Sequence, residues 1–228
     1  METQAVEEIM ALYNISGEKD RWVAEQIIDH LGDLLQAASA GIASPQVLDL
    51  ACGKAESYPH LPPTLYEPWL SRIAAHSGFN VTGIDIEPGP LDVKSSPGTW
   101  NYESRDLLEP TALAHIPDES FNVVALRGLV HTFMQSEIAP ELDRLSWCNE
   151  DLYLKKRDHL IGEITRILRK KGRLILNSFV LEKPESTGNW TMIFDKFPFP
   201  KNELEQIKPE LLQPPFRTKR IQGRDFCW

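Results

Sequence analysis

An open, largely parallel α/β sheet with helices on both faces is the fold this sequence predicts, and three observations predict it. Short apolar runs suited to buried strands recur at Val47 to Leu50, Val81 to Asp85 and Phe121 to Leu126. Segments with helical spacing or helix stop signals separate the runs, which is the alternation a parallel sheet with crossover helices requires. Small residues and carboxylates gather just after the strands, where sheets of this kind bind ligands.

The elements follow in order. Val6, Ile9, Met10 and Tyr13 make one apolar stripe, and Trp22, Val23, Ile27, Ile28, Leu31, Leu34 and Leu35 make a second, with Ser16-Gly17 between them. Two amphipathic helices result, and we take residues 1–44 as an N-terminal helical cap on a domain running over 45–228. Ser44-Pro45 punctuates the entry to the first strand. A Pro-bearing loop from Glu56 to Thr64 precedes a helix over Tyr66 to His76 that stops at Gly78. Val81 to Asp85 is the second strand, Trp100 to Glu103 the third and Phe121 to Leu126 the fourth. A long helical stretch, Glu137 to Lys170 with a break near Cys148-Asn149, ends in Lys170-Lys171-Gly172, cations and then glycine. Arg173 to Val180 is the fifth strand. One more helix, Lys201 to Leu212, and a hairpin from Phe216 onward around Gln222-Gly223 complete the chain.

Composition excludes several function classes. With 228 residues, 42% of them hydrophobic and 25% charged, the chain has the make-up of a globular protein with one substantial core. A net charge of −9 disfavours a surface that grips phosphate backbones, so no nucleic-acid partner is expected. Glu2, Glu7, Glu8, Glu18, Lys19, Asp20 and Arg21 interrupt any apolar run near the start, so neither a signal peptide nor a membrane span is expected and the chain reads as cytoplasmic. Cys52, Cys148 and Cys227 are widely spaced and have no His or Cys neighbour at a metal-ligand interval; neither disulfides nor a metal are predicted.

Four places at the strand ends carry suitable chemistry. In Asp49-Leu-Ala-Cys-Gly-Lys-Ala-Glu56, small residues at Ala51, Gly53 and Ala55 let the backbone turn tightly against a ligand, with Cys52 inside the turn. Asp85 ends the second strand, where one carboxylate accepts both hydroxyls of a ribose, and Ile86 follows it. After the third strand, Asp106 and the backbone of Leu107 suit the amino group and ring nitrogen of adenine. Together these describe an adenosine. Arg127-Gly-Leu-Val-His131 follows the fourth strand and faces whatever lies beside it.

These residues resemble the class I S-adenosylmethionine-dependent methyltransferases. Val47-Leu-Asp-Leu-Ala-Cys-Gly53 is similar to the family's first motif, and Val81-Thr-Gly-Ile-Asp85 to its ribose motif. Asp106 followed by Ile116-Pro-Asp-Glu-Ser-Phe-Asn-Val-Val124 is similar to its adenine motif. Leu129-Val-His131 and Ile167-Leu-Arg-Lys-Lys-Gly-Arg-Leu-Ile-Leu176 resemble the segments around the fourth and fifth strands. The resemblance spans Val47 to Val180 in order. It implies a Rossmann-like fold, S-adenosyl-L-methionine as cofactor, and methyl transfer to a small-molecule acceptor. It also implies a cofactor site built from Asp49, Ala51, Cys52, Gly53, Asp85, Ile86, Asp106, Leu107 and Arg127. The family's glycine triplet stands here as Ala51, Gly53 and Ala55. Its sheet closes with two antiparallel strands after the fifth, for which the expectation assigns only the short stretch Pro214 to Trp228. The segment after the fourth strand lacks the Asn/Asp-Pro-Pro-aromatic pattern of members that methylate adenine or glutamine amides.

Other readings stand beside these. Asp49 either organises the ligand, meeting its amino group directly or through water, or bonds to nearby backbone. Asp85 is either the ribose ligand or a turn residue, and Arg105 offers Asp106 a salt bridge of no functional meaning. His131 is a candidate general base, as is Glu137, or else a structural histidine. Trp190, Phe194, Phe197 and Phe199 wall an acceptor pocket or cover the sheet edge. A nicotinamide-dependent oxidoreductase is the rival enzyme, but Gly-x-Gly-x-x-Gly is absent. A non-catalytic scaffold with the same fold is the rival outside enzymology.

Overall fold

The computed structural model describes residues 7, 11, 17–53, 68–86, 97–107, 109–126, 150–176, 178–185, 189–196, 218–221 and 224–227. Seven strands form one sheet: β1 (Gln46–Leu50), β2 (Asn80–Asp85), β3 (Thr99–Ser104), β4 (Phe121–Leu126), β5 (Leu168–Leu176), β6 (Phe179–Glu182) and β7 (Thr191–Asp195). Their order across the sheet is β3-β2-β1-β4-β5-β6-β7. The first five are parallel, β6 is antiparallel to β5, and β7 is antiparallel to β6. The fold is therefore Rossmann-like: the chain steps outward from β1 to β3, then returns across β1 to lay down β4. The crevice between β1 and β4 is the switch point at which strand order reverses.

Alternate residues of β1 feed two separate cores, as a strand buried on both faces must. Val47 joins Val81, Val123, Ala125, Ile175 and Val180 under α1 (Glu18–Ser39) and α2 (Trp69–His76). Leu48 and Leu50 join Ile84, Val124, Leu126 and Leu174 under α3 (Glu150–Ile167) and a segment of tight turns that carries Leu107, Ala112, Leu113 and Ile116. Of the predicted apolar stripe of α1, Ile27, Ile28, Leu31, Leu34 and Leu35 are buried in the first core. The helix brings no basic residue in its own last turn. Arg173 of β5 supplies one, its Nη1 donating to the carbonyls of Ala37, Ala38 and Ala40 at 3.0, 3.2 and 3.1 Å. Lys183 does the same for α3, its Nζ donating to the carbonyls of Thr165 and Leu168 at 2.6 and 2.7 Å.

The first four strands fall where the sequence predicts, each within one residue at either end. The second half of the sheet differs in two respects. The helix stops at Ile167, and Leu168 already pairs with Phe121, so Arg169-Lys-Lys-Gly172 is an outward bulge rather than a helix end. Lys171 takes φ +55° there, and its Nζ pairs with Glu185 at 2.6 Å. The apolar run read as one strand to Val180 is two strands, because Leu176 already pairs antiparallel with Phe179. No glycine lies between Leu176 and Phe179, so the sequence carries no turn signal of that kind there. The closing strands expected from Pro214 to Trp228 are thus supplied earlier, by β6 and β7. The predicted hairpin does form, as the separate pair β8 (Thr218–Ile221) and β9 (Arg224–Cys227). The part of the predicted Glu137 to Lys170 helical stretch that precedes Glu150, the helix predicted over Lys201 to Leu212, and the loop Glu56 to Thr64 lie outside the described residues. Of the first predicted helix only Glu7 and Ala11 are described, both helical.

One glycine sets how closely α2 and β3 approach. Gly98 donates its N–H to the Ala75 carbonyl at 3.0 Å, and a Cβ there would lie 2.2 Å from the Phe79 oxygen and 2.6 Å from that of Ala75. Both obstacles are backbone, so neither yields cheaply. Gly98→Ala is expected to destabilise the fold by about 1–3 kcal/mol, read as a lower urea midpoint at unchanged slope.

Candidate functional site

Register brings the predicted residues to one edge. Leu50 pairs with Ile84 and with Leu126, and Asp85 pairs with Ser104, so β1, β2, β3 and β4 finish nearly level. The backbone turns sharply after β1: Ala51 sits at φ +55° and Gly53 at φ +91°. Glycine takes that region freely, whereas alanine at Ala51 is the smallest side chain that accepts the strain. The turn is held to β2 by two bonds. The Cys52 N–H donates to the Ile84 carbonyl at 3.2 Å, and the Gly53 N–H donates to Asp85 Oδ2 at 2.9 Å. The Asp85 carbonyl accepts the Arg105 N–H at 2.8 Å, and Ser104 Oγ donates to the Ile86 carbonyl at 3.0 Å, which joins β2 to the segment after β3.

Ala51, Gly53, Asp85 and Asp106 are half-buried along this edge. Ile86 is 61% exposed, the most exposed of the large apolar side chains among the described residues. Leu107 is buried in the second core, which anchors its backbone. Asp49 differs from the others. It lies on the α1–α2 face, 1% exposed, and its Oδ2 accepts the Ser71 hydroxyl at 2.6 Å. Ser71 was not legible as a site residue, since nothing in its local pattern marks it; it is in the first turn of α2, and that places a carboxylate against a helix N-terminus.

Arg105 spends its Nε on Glu103, whose Oε2 it reaches at 2.9 Å, and His115 Nε2 reaches the same oxygen at 2.8 Å. Burial works against ionisation of Glu103, but Arg105 and His115 together hold its carboxyl below the usual range. Arg127, His131 and Glu137 lie outside the described residues, as do Phe197 and Phe199. Phe194 packs on the first core and Trp190 on the second.

Cys52 is tucked into space that only glycine leaves. A Cβ on Gly83 would lie 2.9 Å from Cys52 Sγ and 3.4 Å from Trp100 Nε1. Glycine inside a strand is the sequence signal for such close approach, and Gly83 carries it. Burial first, then the negative charges of Asp49 and Asp85, push the Cys52 thiol far above its ordinary value of 9.0. The thiol stays protonated, and Cys52 contributes shape and backbone rather than a nucleophile.

No family model matches the chain, and no curated protein matches it. Among solved structures it is similar to WbdD, with a TM-score of 0.41 and 14% identity over 66% of this chain and 27% of that one. It is also similar to Haemonchus contortus phosphoethanolamine N-methyltransferase 1 in complex with phosphoethanolamine and S-adenosylhomocysteine, with a TM-score of 0.39 and 12% identity over 86% of this chain and 37% of that one. The carbon methyltransferase CurJ aligns with a TM-score of 0.36 and 10% identity over 77% of this chain and 51% of that one. The chain spans about half the length of these structures or less. The fold assignment rests on the strand order of the chain itself.

Two outcomes follow from the packing of the turn. Gly83→Ala should cost about 1–3 kcal/mol, and Cys52→Ala in the same chain should recover much of it by removing the obstructing sulfur. Additive losses in the double variant, measured by urea unfolding, would contradict that contact. Peptide mapping after iodoacetamide at pH 8 should leave Cys52 unmodified in the native protein and label it in denaturant. Because its folded pKa is raised, the unfolded thiol ionises first, so this group makes stability fall as pH rises past 9.0.

Proposed function

We propose that the carboxyl edge of β1, β2 and β3 binds S-adenosyl-L-methionine and that the protein is a methyltransferase acting on a small-molecule acceptor. The observation that carries this reading is the Gly53 N–H bond to Asp85 Oδ2 at 2.9 Å, which joins the turn after β1 to the end of β2 beside the switch point of the sheet. It orients a carboxylate at the end of β2, and a carboxylate there can accept the hydroxyls of a ribose diol. The residues fit an adenosyl group on a second count. Ile86, exposed beside that carboxylate, offers the apolar surface a purine face covers.

Each residue then has a task. Asp85 accepts the ribose hydroxyls. The Asp106 carboxylate accepts the purine amino group while the Leu107 N–H donates to a ring nitrogen, and Ile86 lies against the ring. The left-handed turn Ala51-Cys52-Gly53 keeps side chains out of the crevice, so backbone lines it. Asp49, braced by Ser71, meets the amino group at the methionine end through water. Arg127 and His131 follow β4 on the acceptor side, where His131 is the candidate for taking a proton from a hydroxyl or ammonium nucleophile. The cofactor supplies an activated sulfonium methyl, so the chain's own work is to align an acceptor behind it and exclude water. No helix among the described residues is long and apolar enough to cross a membrane. With the net charge of −9, this supports a cytoplasmic enzyme of small molecules rather than of nucleic acid.

Thermal-shift titration tests the reading. S-adenosylmethionine and S-adenosylhomocysteine should each raise the melting temperature with concentration, and NAD should not, because only a ligand that prefers the native state stabilises it. Stabilisation by NAD alone would replace this reading with that of an oxidoreductase. Asp85→Ala should weaken S-adenosylhomocysteine binding by about 1.5–3 kcal/mol in calorimetry while leaving the circular dichroism unchanged. Equal affinity would remove Asp85 from the site.

A further inference from the structure

Between Asp106 and β4 the chain does not form a helix; it makes a series of tight turns. The Glu109 N–H donates to the Asp106 carbonyl at 3.1 Å, Ala112 to Glu109 at 3.0 Å, Ala114 to Thr111 at 3.1 Å and Ile116 to Leu113 at 3.0 Å. Isolated turns of this kind have few bonds of their own, so their position depends on what they are fastened to. One guanidinium supplies several of those links, beside the packing of Ala112, Leu113 and Ile116 against Leu160, Ile164 and Ile167 of α3 in the second core. Arg166, near the end of α3, donates from Nη1 to the Ile116 carbonyl at 2.7 Å and to Asp118 Oδ1 at 2.8 Å. Its Nη2 donates to the Leu113 carbonyl at 3.0 Å and to Glu163 Oε2 at 2.8 Å, and its Nε donates to Glu163 Oε1 at 3.1 Å.

All five N–H donors of the side chain are thereby used. Two of them end on the turn carbonyls of Leu113 and Ile116. The backbone closes the loop from the other direction, with the Glu119 N–H donating to the Arg166 carbonyl at 3.0 Å. His159, two helical turns earlier, lies 2.9 Å from the Pro110 carbonyl. On the opposite side His115 reaches back to Glu103 of β3, at 2.8 Å. The segment is held at both flanks, and its first residue is Asp106.

We infer that Arg166 is a positioning residue for purine recognition: by fixing the turns that begin at Asp106, it sets where that carboxylate and the Leu107 N–H meet the purine edge. This rests on the adenosyl reading above. The fork of arginine is required, because its five N–H donors reach five separate acceptor atoms, more than the three donors of a compact lysine ammonium can serve. A bulk structural role would weaken every ligand alike. A positioning role alters the discrimination between purines.

The test compares S-adenosylhomocysteine with S-inosylhomocysteine, which carries a carbonyl oxygen where adenine has its amino group. Facing a carboxylate, that oxygen is repelled, so wild-type protein should prefer the adenosyl ligand by about tenfold or more in calorimetry. In Arg166→Lys the preference should shrink to within about twofold, with affinity for the adenosyl ligand falling most. Asp118→Asn, which removes the charge from one exposed acceptor, should reduce the preference partway, and it decides the matter should Arg166→Lys fail to fold. Equal loss of affinity for both ligands, or an unchanged preference in a folded variant, would overturn the inference. Wild-type protein that binds neither ligand would instead refute the adenosyl reading itself, and the positioning role with it.

Discussion

The bond from the Gly53 N–H to the Asp85 carboxylate joins the ends of β1 and β2 beside the crevice where the order of the sheet reverses, and much of the candidate site depends on it. Parallel pairing makes it reachable, since Leu50 beside Ile84 leaves the two strand ends level. Left-handed backbone at Ala51 and Gly53 aims the amide at β2, and the absent side chain at Gly83 leaves room for Cys52 beneath the turn. Shift β1 by one residue against β2 and Asp49 would leave the α1–α2 face, with Leu48 and Leu50 buried on the wrong side. The hydrophobic pattern that fixes the register therefore also fixes the chemistry at its edge.

Charged side chains do a related service on both faces of the sheet. Arg173 ends α1, Lys183 ends α3, and Arg166 fastens the turns that follow Asp106. In each case a cation on one element donates to backbone carbonyls of another, which is a better use of a half-buried charge than a surface ion pair. Asp33 and Lys196 form such a pair beside the groove between α1 and β7. At that same edge β7 carries an extra residue, since Val180 faces Phe194 while Leu181 faces Met192, leaving Ile193 as a bulge. A bulge on an outer strand twists the edge away from further strand addition.

How much of this was legible in the sequence depends on where the information resides. The apolar runs at Val47, Val81 and Phe121 identified three buried strands nearly to the residue, because burial on both faces leaves no polar alternation to misread. Asp85 and Asp106 were legible as edge carboxylates from their place after strands. The antiparallel return from β5 to β6 was not, since no glycine or proline separates Leu176 from Phe179, and the bulge at Arg169 to Gly172 imitated a helix stop. Ser71 as partner of Asp49 and Arg166 as the hub of the second face were also hidden. Both depend on contacts between residues 22 or about 50 positions apart, for which local pattern carries no signal.

A crystal structure of the protein with S-adenosylhomocysteine is the most direct measurement. The ribose hydroxyls should lie within hydrogen-bond distance of the Asp85 carboxylate, with the purine against Ile86 and its amino group at Asp106. A ligand bound away from the ends of β1 and β2, or one whose ribose points away from Asp85, would contradict the adenosyl site.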